Sequence, residues 1–118
     1  VEADKLFQEG VQQFRRGEYP KALLTYQRVL EIRRLLGDKV GEGAALNKLG
    51  EVYYWMRQTD KALEVLQSAL VIRQQLKDKV GEGETLDNIG LSYYGKQEDK
   101  KALEIFQQAL IIRREVKD

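Results

Sequence analysis

The chain repeats itself every 40 residues, and few properties of a sequence restrict its fold more. The string Leu36-Gly37-Asp38-Lys39-Val40-Gly41-Glu42-Gly43 returns as Leu76-Lys77-Asp78-Lys79-Val80-Gly81-Glu82-Gly83. Segments opening Lys-Ala-Leu begin at Lys21, Lys61 and Lys101, and blocks 41–78 and 81–118 share 18 identical residues out of 38. A fixed period of this size marks a stacked array, because one unit cannot bury its apolar face alone and each must lean on its neighbour.

Each unit reads as two helices. Leu46, Leu49, Gly50 and Tyr53 fall on one face at helical spacing, and Ala62, Leu63, Leu66, Ala69, Leu70 and Ile72 mark another. The polar stretch Arg57-Gln58-Thr59-Asp60 separates them. Asp38 and Asp78 suit helix N-caps, Asp60 and Asp99 stand where second helices begin, and Pro20 fits a first turn, where its missing N–H is harmless. The pattern predicts helices near 2–16, 20–36, 39–56, 60–76, 79–96 and 99–117. The expected fold is all-α: a single domain, residues 1–118, forming a right-handed α-solenoid of three helix–turn–helix units, 1–38, 39–78 and 79–118, with six antiparallel helices. Gly10, Gly50 and Gly90 recur inside the first helices, where glycine costs about 1 kcal/mol relative to alanine. The expected compensation is close approach of the second helix at Ala22, Ala62 and Ala102.

Composition removes whole classes of chemistry. There is no cysteine and no histidine, so disulfides, thiolate zinc sites and Ser/His/Asp or Cys/His machinery cannot be assembled. The net charge of +1 supplies no global field for nucleic acid or anionic membrane. No apolar run approaches the length of a membrane span. No signal peptide is visible, and a cytoplasmic location is expected. The chain opens on Val1 rather than Met, which suggests a processed chain or a fragment of a longer array.

Here the residues meet a known pattern. Leu46, Leu49, Gly50, Tyr53, Ala62 and Leu66, then Leu86, Ile89, Gly90, Tyr93, Ala102 and Phe106, resemble the tetratricopeptide repeat signature. Leu6, Gly10, Ala22 and Tyr26 match it in the first unit, while Glu9 and Gln13 depart. The period is longer than the family's roughly 34 residues, and Arg34, Gln74 and Arg114 replace its closing proline. Both departures resemble the long-helix variant found in spindle-orientation adaptors rich in Leu-Gly-Asn and in bacterial signalling arrays.

The resemblance implies a non-catalytic adaptor or scaffold, with no cofactor or metal, that holds a peptide or helix of a partner protein in a concave groove lined by the first helices. Carried onto this sequence, the groove residues are Phe7, Val11, Phe14 and Arg15, then Asn47, Lys48, Glu51, Tyr54 and Trp55, then Asp87, Asn88, Leu91 and Tyr94. Asn and Asp could bond the main chain of an extended ligand, and Tyr and Trp are rigid anchors. Phe14, Tyr54 and Tyr94 recur every 40 residues and read equally as scaffold, whereas Trp55 has no counterpart, its register holding Arg15 and Gly95. Members that clamp a terminal carboxylate carry Lys and Asn where Phe7 and Val11 stand, which argues against a chaperone-tail receptor. A second reading is self-association through the uncapped helix 99–117, which carries Ile105, Ala109, Ile112 and Val116. An RNA-binding array is disfavoured by the charge balance.

The arginine ladder Arg33, Arg73 and Arg113 could suggest phosphate binding. The plainer reading is complementation of helix C-termini and of Glu31 and Glu115. Glu42, Glu82 and Glu84 read as solvated residues near helix N-termini rather than as acid–base or calcium groups.

Overall fold

The computed structural model describes residues 2–117, and their order is set by five turns built on one plan. The helices are α1 (Glu2–Arg15), α2 (Tyr19–Leu35), α3 (Lys39–Trp55), α4 (Thr59–Gln75), α5 (Lys79–Gly95) and α6 (Asp99–Lys117). Every boundary lies within a residue of that expected from the periodicity. At each turn one residue adopts positive φ: Gly17, Gly37, Arg57, Lys77 and Gln97. Its N–H returns to a carbonyl three residues back, and the next N–H to one five residues back, as in Asp38 N to Arg33 O at 2.9 Å and Glu98 N to Tyr93 O at 2.9 Å. This is the Schellman closure, and the residue that completes it also starts the next helix: Asp38 O accepts from Glu42 N at 2.8 Å. Turns this short fold consecutive helices back on one another.

The expected caps are present. Asp38 and Asp78 accept from the N–H groups of Gly41 and Gly81 at 2.9 Å. The second helix of the middle unit starts one residue earlier than expected, at Thr59 after Gln58, which makes no side-chain cap; Asp60 lies in its first turn. Pro20 occupies the first turn of α2.

The recurrent glycines serve a purpose slightly different from the expected one. A Cβ on Gly10 would stand 2.6 Å from the Tyr26 ring, and one on Gly90 would stand 2.6 Å from the Phe106 ring; on Gly50 it would fall inside the Leu66 isopropyl group. The glycine therefore receives the bulky residue one turn beyond Ala22, Ala62 or Ala102 rather than the alanine itself. The alanines are buried too, but they are not what the glycine admits.

Consecutive helices pack, and α3 also lies against α5. The row α1, α3, α5 thus forms one wall of a curved stack and α2, α4, α6 the other, with overall extents of 38 × 31 × 21 Å. The largest apolar core joins the first two units through Tyr26, Val29, Leu30, Ala45, Leu49 and Val52. Two smaller clusters, around Leu66 with Ile89 and around Leu86 with Ala109, serve the rest.

Candidate functional site

The inner wall divides into a closed polar half and an open aromatic half. The closed half centres on Asn47, whose side chain is completely buried. Its Nδ2 donates to Glu84 Oε1 at 2.9 Å, and its Oδ1 accepts from Thr85 Oγ1 and Asn88 Nδ2, both at 3.1 Å. Arg73 reaches over from α4, its Nη1 lying 3.0 Å from Gly81 O, Glu84 Oε1 and Thr85 Oγ1. Asp87 is ion-paired with Arg113. The three side chains expected to bond a ligand's main chain, Asn47, Asp87 and Asn88, are thus engaged with the protein itself. Asn47 in particular does not belong on the open surface. Periodicity could not have revealed this, because Thr85 replaces the Ala45 of the preceding unit and supplies the extra hydroxyl.

The arginine ladder needs a parallel correction. Arg33 and Arg73 are not surface partners of a helix dipole; they are 7% and 8% exposed. Each donates from Nη1 to a glycine carbonyl of the following helix, Gly41 O or Gly81 O, at 3.0 Å. Glu31 pairs instead with Arg28. Glu42 and Glu82, expected in solvent, are buried and paired with Arg34 and Lys39 and with Lys79 respectively. Basic and acidic registers both serve the joints between units.

Among the other groove residues, Phe7 is half-buried, its ring 5.6 Å from Tyr26 and 4.8 Å beneath the Arg33 guanidinium. Val11 is half-buried. Lys48 donates to Glu51 at 3.4 Å. Burial raises the Glu51 carboxyl above its ordinary range, and Lys48 only partly opposes this. Burial, reinforced by the Glu51 charge, pushes the Tyr26 phenol up to about 12.

The open half lies toward the helix C-termini. Trp55 is 55% exposed, Tyr94 61% and Leu91 38%; Arg15 is also exposed and Tyr54 half-buried. The rings run together: Phe14 to Tyr19 at 5.4 Å, Tyr19 stacked on Trp55 at 6.4 Å, and Trp55 edge-on to Tyr54 at 5.5 Å. Tyr19 was not among the expected groove residues because it opens a second helix. It too breaks the repeat, since Thr59 and Asp99 hold its register, so the signal lay in the sequence. A cleft of about 340 Å³ lies beside the cluster, lined by Tyr54, Trp55, Arg57, Thr59 and Gly95. Gly95 stands where the preceding unit has Trp55, and the missing side chain widens the cleft next to Tyr54.

Family models described as tetratricopeptide repeat match residues 41–115 and 13–40. The chain belongs to the tetratricopeptide repeat family. The tetratricopeptide fold is generally a protein–protein interaction module without catalytic function of its own. Among solved structures the chain is similar to the tetratricopeptide repeat domain of Arabidopsis FLU, with a TM-score of 0.89, 22% identity, and coverage of 99% of this chain and 97% of that one. That likeness concerns the fold. No curated protein matches the sequence. Among the described residues no helix is long and apolar enough to cross a membrane, and no cluster of metal-ligating side chains occurs.

Proposed function

We propose that this tetratricopeptide repeat unit is an adaptor that holds a peptide or helix of a partner protein against the open half of its inner wall. The observation that carries the reading is Trp55: it breaks the repeat, remains 55% exposed, and flanks a cleft that Gly95 leaves open. A large aromatic side chain is expensive to leave in water, and rings of this kind dominate binding energy when a partner covers them. Tyr54, Tyr94 and Leu91 extend the apolar area, while Arg15, Lys48 and Glu51 supply charge of both signs at its margin. Because the polar half of the wall is occupied internally, the reading favours side-chain anchoring over main-chain hydrogen bonding as the source of affinity.

Trp55 is the only tryptophan, so its emission reports directly on the cleft. Peptides selected from a displayed library for binding the chain should shift Trp55 emission to the blue on titration. Gly95→Leu, which plugs the cleft from an exposed helical position, should weaken them by roughly tenfold, and the Tyr54→Ala/Trp55→Ala variant should lose them while retaining its helicity. Selected peptides that leave the emission unchanged and bind the double variant as tightly as the native chain would overturn the reading.

A further inference from the structure

The basic and acidic residues of the chain nearly balance, 20 against 19, but they are not evenly spread. Three turns close the edge on which the aromatic cluster stands: residues 15–21, 55–61 and 95–101. Together they hold eight Lys and Arg against four Asp and Glu, so the rest of the chain is net acidic. Pairing sharpens the excess. Glu18 lies with Lys21, and Asp60 and Glu98 both lie with Lys96. Arg15, Arg16 and Arg57 are exposed and form no ion pair among the described residues. The turns at the opposite edge differ: Arg34 and Lys39 pair with the buried Glu42, and Lys79 with the buried Glu82.

Arg57 lines the cleft of about 340 Å³ together with Tyr54, Trp55, Thr59 and Gly95. Arg15 and Arg16 lead into the turn that presents Tyr19, whose ring stacks on Trp55 at 6.4 Å. The other inner-wall charges are engaged with one another: Lys48 with Glu51, Arg73 with Glu84 and Arg113 with Asp87. The unpaired charge bordering the open half is therefore guanidinium, a planar fork of donors that matches a carboxylate. The shape of the cleft sets the second requirement. Its volume is close to the lower end for ligand pockets, so it seats one large side chain rather than a run of them. Single-stranded nucleic acid fits less well, because it needs successive free ring faces. Here Tyr19 and Trp55 already stack on each other, and Trp55 meets Tyr54 edge-on.

We infer, resting on the reading of the open half as a peptide site, that its partner is an internal acidic–aromatic segment. One ring or large aliphatic side chain sits beside Trp55 in the space that Gly95 leaves open. Asp or Glu next to that anchor in sequence meets Arg57, and further acid faces Arg15 and Arg16. The carboxylates recognised are those of side chains, so a free chain end is not required. The net acidity of the remaining surface repels such a segment elsewhere and directs it to this edge.

The test uses peptides selected from a displayed library against the 118-residue chain, then synthesised with both ends blocked. Among those that shift Trp55 emission, Asp and Glu should be enriched beside the apolar anchor. Replacing these acids with Asn and Gln should weaken binding roughly tenfold. Added salt should weaken the acidic parent and leave the amide version unchanged. Arg57→Gln should narrow the gap between the two versions to roughly threefold or less, and Arg57→Glu should invert the preference. The glutamine variant retains the turn, since Gln97 holds the same positive φ one unit later. Arg15→Gln/Arg16→Gln should weaken the acidic peptide by roughly threefold. Unblocking the C-terminus should add nothing. Peptides that shift the emission without acidic enrichment, bind equally as amides, or ignore Arg57 would overturn the inference and leave the inner-wall reading standing. Displacement of the peptide by oligouridylate at low salt, with a change in Trp55 emission, would also overturn it, since nucleic acid would then be the occupant. If no selected peptide shifts the emission, both readings fall together.

Discussion

The two joints between units share a backbone plan and differ in chemistry. The joint of α2 with α3 is apolar: Ala45, Leu49 and Val52 lie in the largest core together with Val29 and Leu30. The joint of α4 with α5 puts Thr85 and Ser92 at the registers of Ala45 and Val52, both completely buried, and holds Thr85 with the Asn47–Glu84–Arg73 network. Ser92 satisfies its hydroxyl locally by donating to Asn88 O at 2.9 Å. One geometry is thus held first by area removed from water and then by directed hydrogen bonds. The contrast teaches that the repeat specifies where helices sit, while the non-repeating residues specify how firmly and how selectively each joint is held. An apolar joint tolerates small sliding; a polar one that must satisfy several donors and acceptors at once does not.

The comparison can be broken most forcefully at the apolar joint. Leu49→Ala should lower the unfolding free energy by about 2–5 kcal/mol through lost burial and the cavity left behind, read as a fall in the urea midpoint. A loss well under 1 kcal/mol would mean that this joint does not rest on packing. At the polar joint the corresponding change is Arg73→Met, which preserves the stem but removes the side-chain donor to Gly81 O and leaves Glu84 with Asn47 alone. It should destabilise by about 2 kcal/mol, discounted for the half-exposed Glu84. Arg33→Met should cost less, because Arg33 already leaves its buried Nε without a partner and reaches Asp4 only at 3.4 Å. If the two arginine variants lose the same stability, the network contributes nothing beyond the single carbonyl bond they share.

A gentler change sharpens the distinction. Thr85→Ala gives the second joint the residue of the first, and removes one of the donors to Asn47 Oδ1 and one of the acceptors of Arg73. It should cost about 1 kcal/mol and speed amide exchange in α5 more than in α3. Equal acceleration in both helices would show that the units unfold together and that the joints are not separately tunable.

Much of this could be read from the chain alone, and the division between what could and could not has a physical basis. Helix limits followed from the 40-residue period because each turn reuses one backbone closure, with positive φ at Gly17, Gly37, Arg57, Lys77 and Gln97 alike. The exposed Trp55 stood out in the sequence because it breaks the period. What was hidden depends on pairing across units. Nothing along α3 says that Asn47 meets Thr85 and Glu84, 38 and 37 residues further on, so an amide that looked free for a ligand is consumed by the fold. The arginines misled for the same reason: a cation near a helix C-terminus looks solvated until the next helix is laid over it, as Gly41 lies over Arg33. Periodicity reports which residues are equivalent; it is silent on which of them touch.

The smallest predicted effect concerns Glu51, which stands on the inner wall beside the polar joint, with the charges of Lys48, Glu84 and Arg73 around it. Its carboxyl is held above the ordinary range chiefly by burial, so the folded chain binds that proton more tightly than the unfolded chain does. As pH rises from acid through that window, the unfolded state releases the proton first, and stability falls until the folded carboxyl has ionised as well. Glu51→Gln removes the ionisation but retains an acceptor for Lys48. The variant should therefore be more stable than the native chain at neutral pH, with the gap closing as pH drops through and below the ordinary carboxylate range. Thermal melts of both proteins from pH 7 down to pH 4 measure that gap directly. A gap that stayed constant would assign Glu51 to packing alone, and a gap of opposite sign would mean that the Lys48 ion pair outweighs burial.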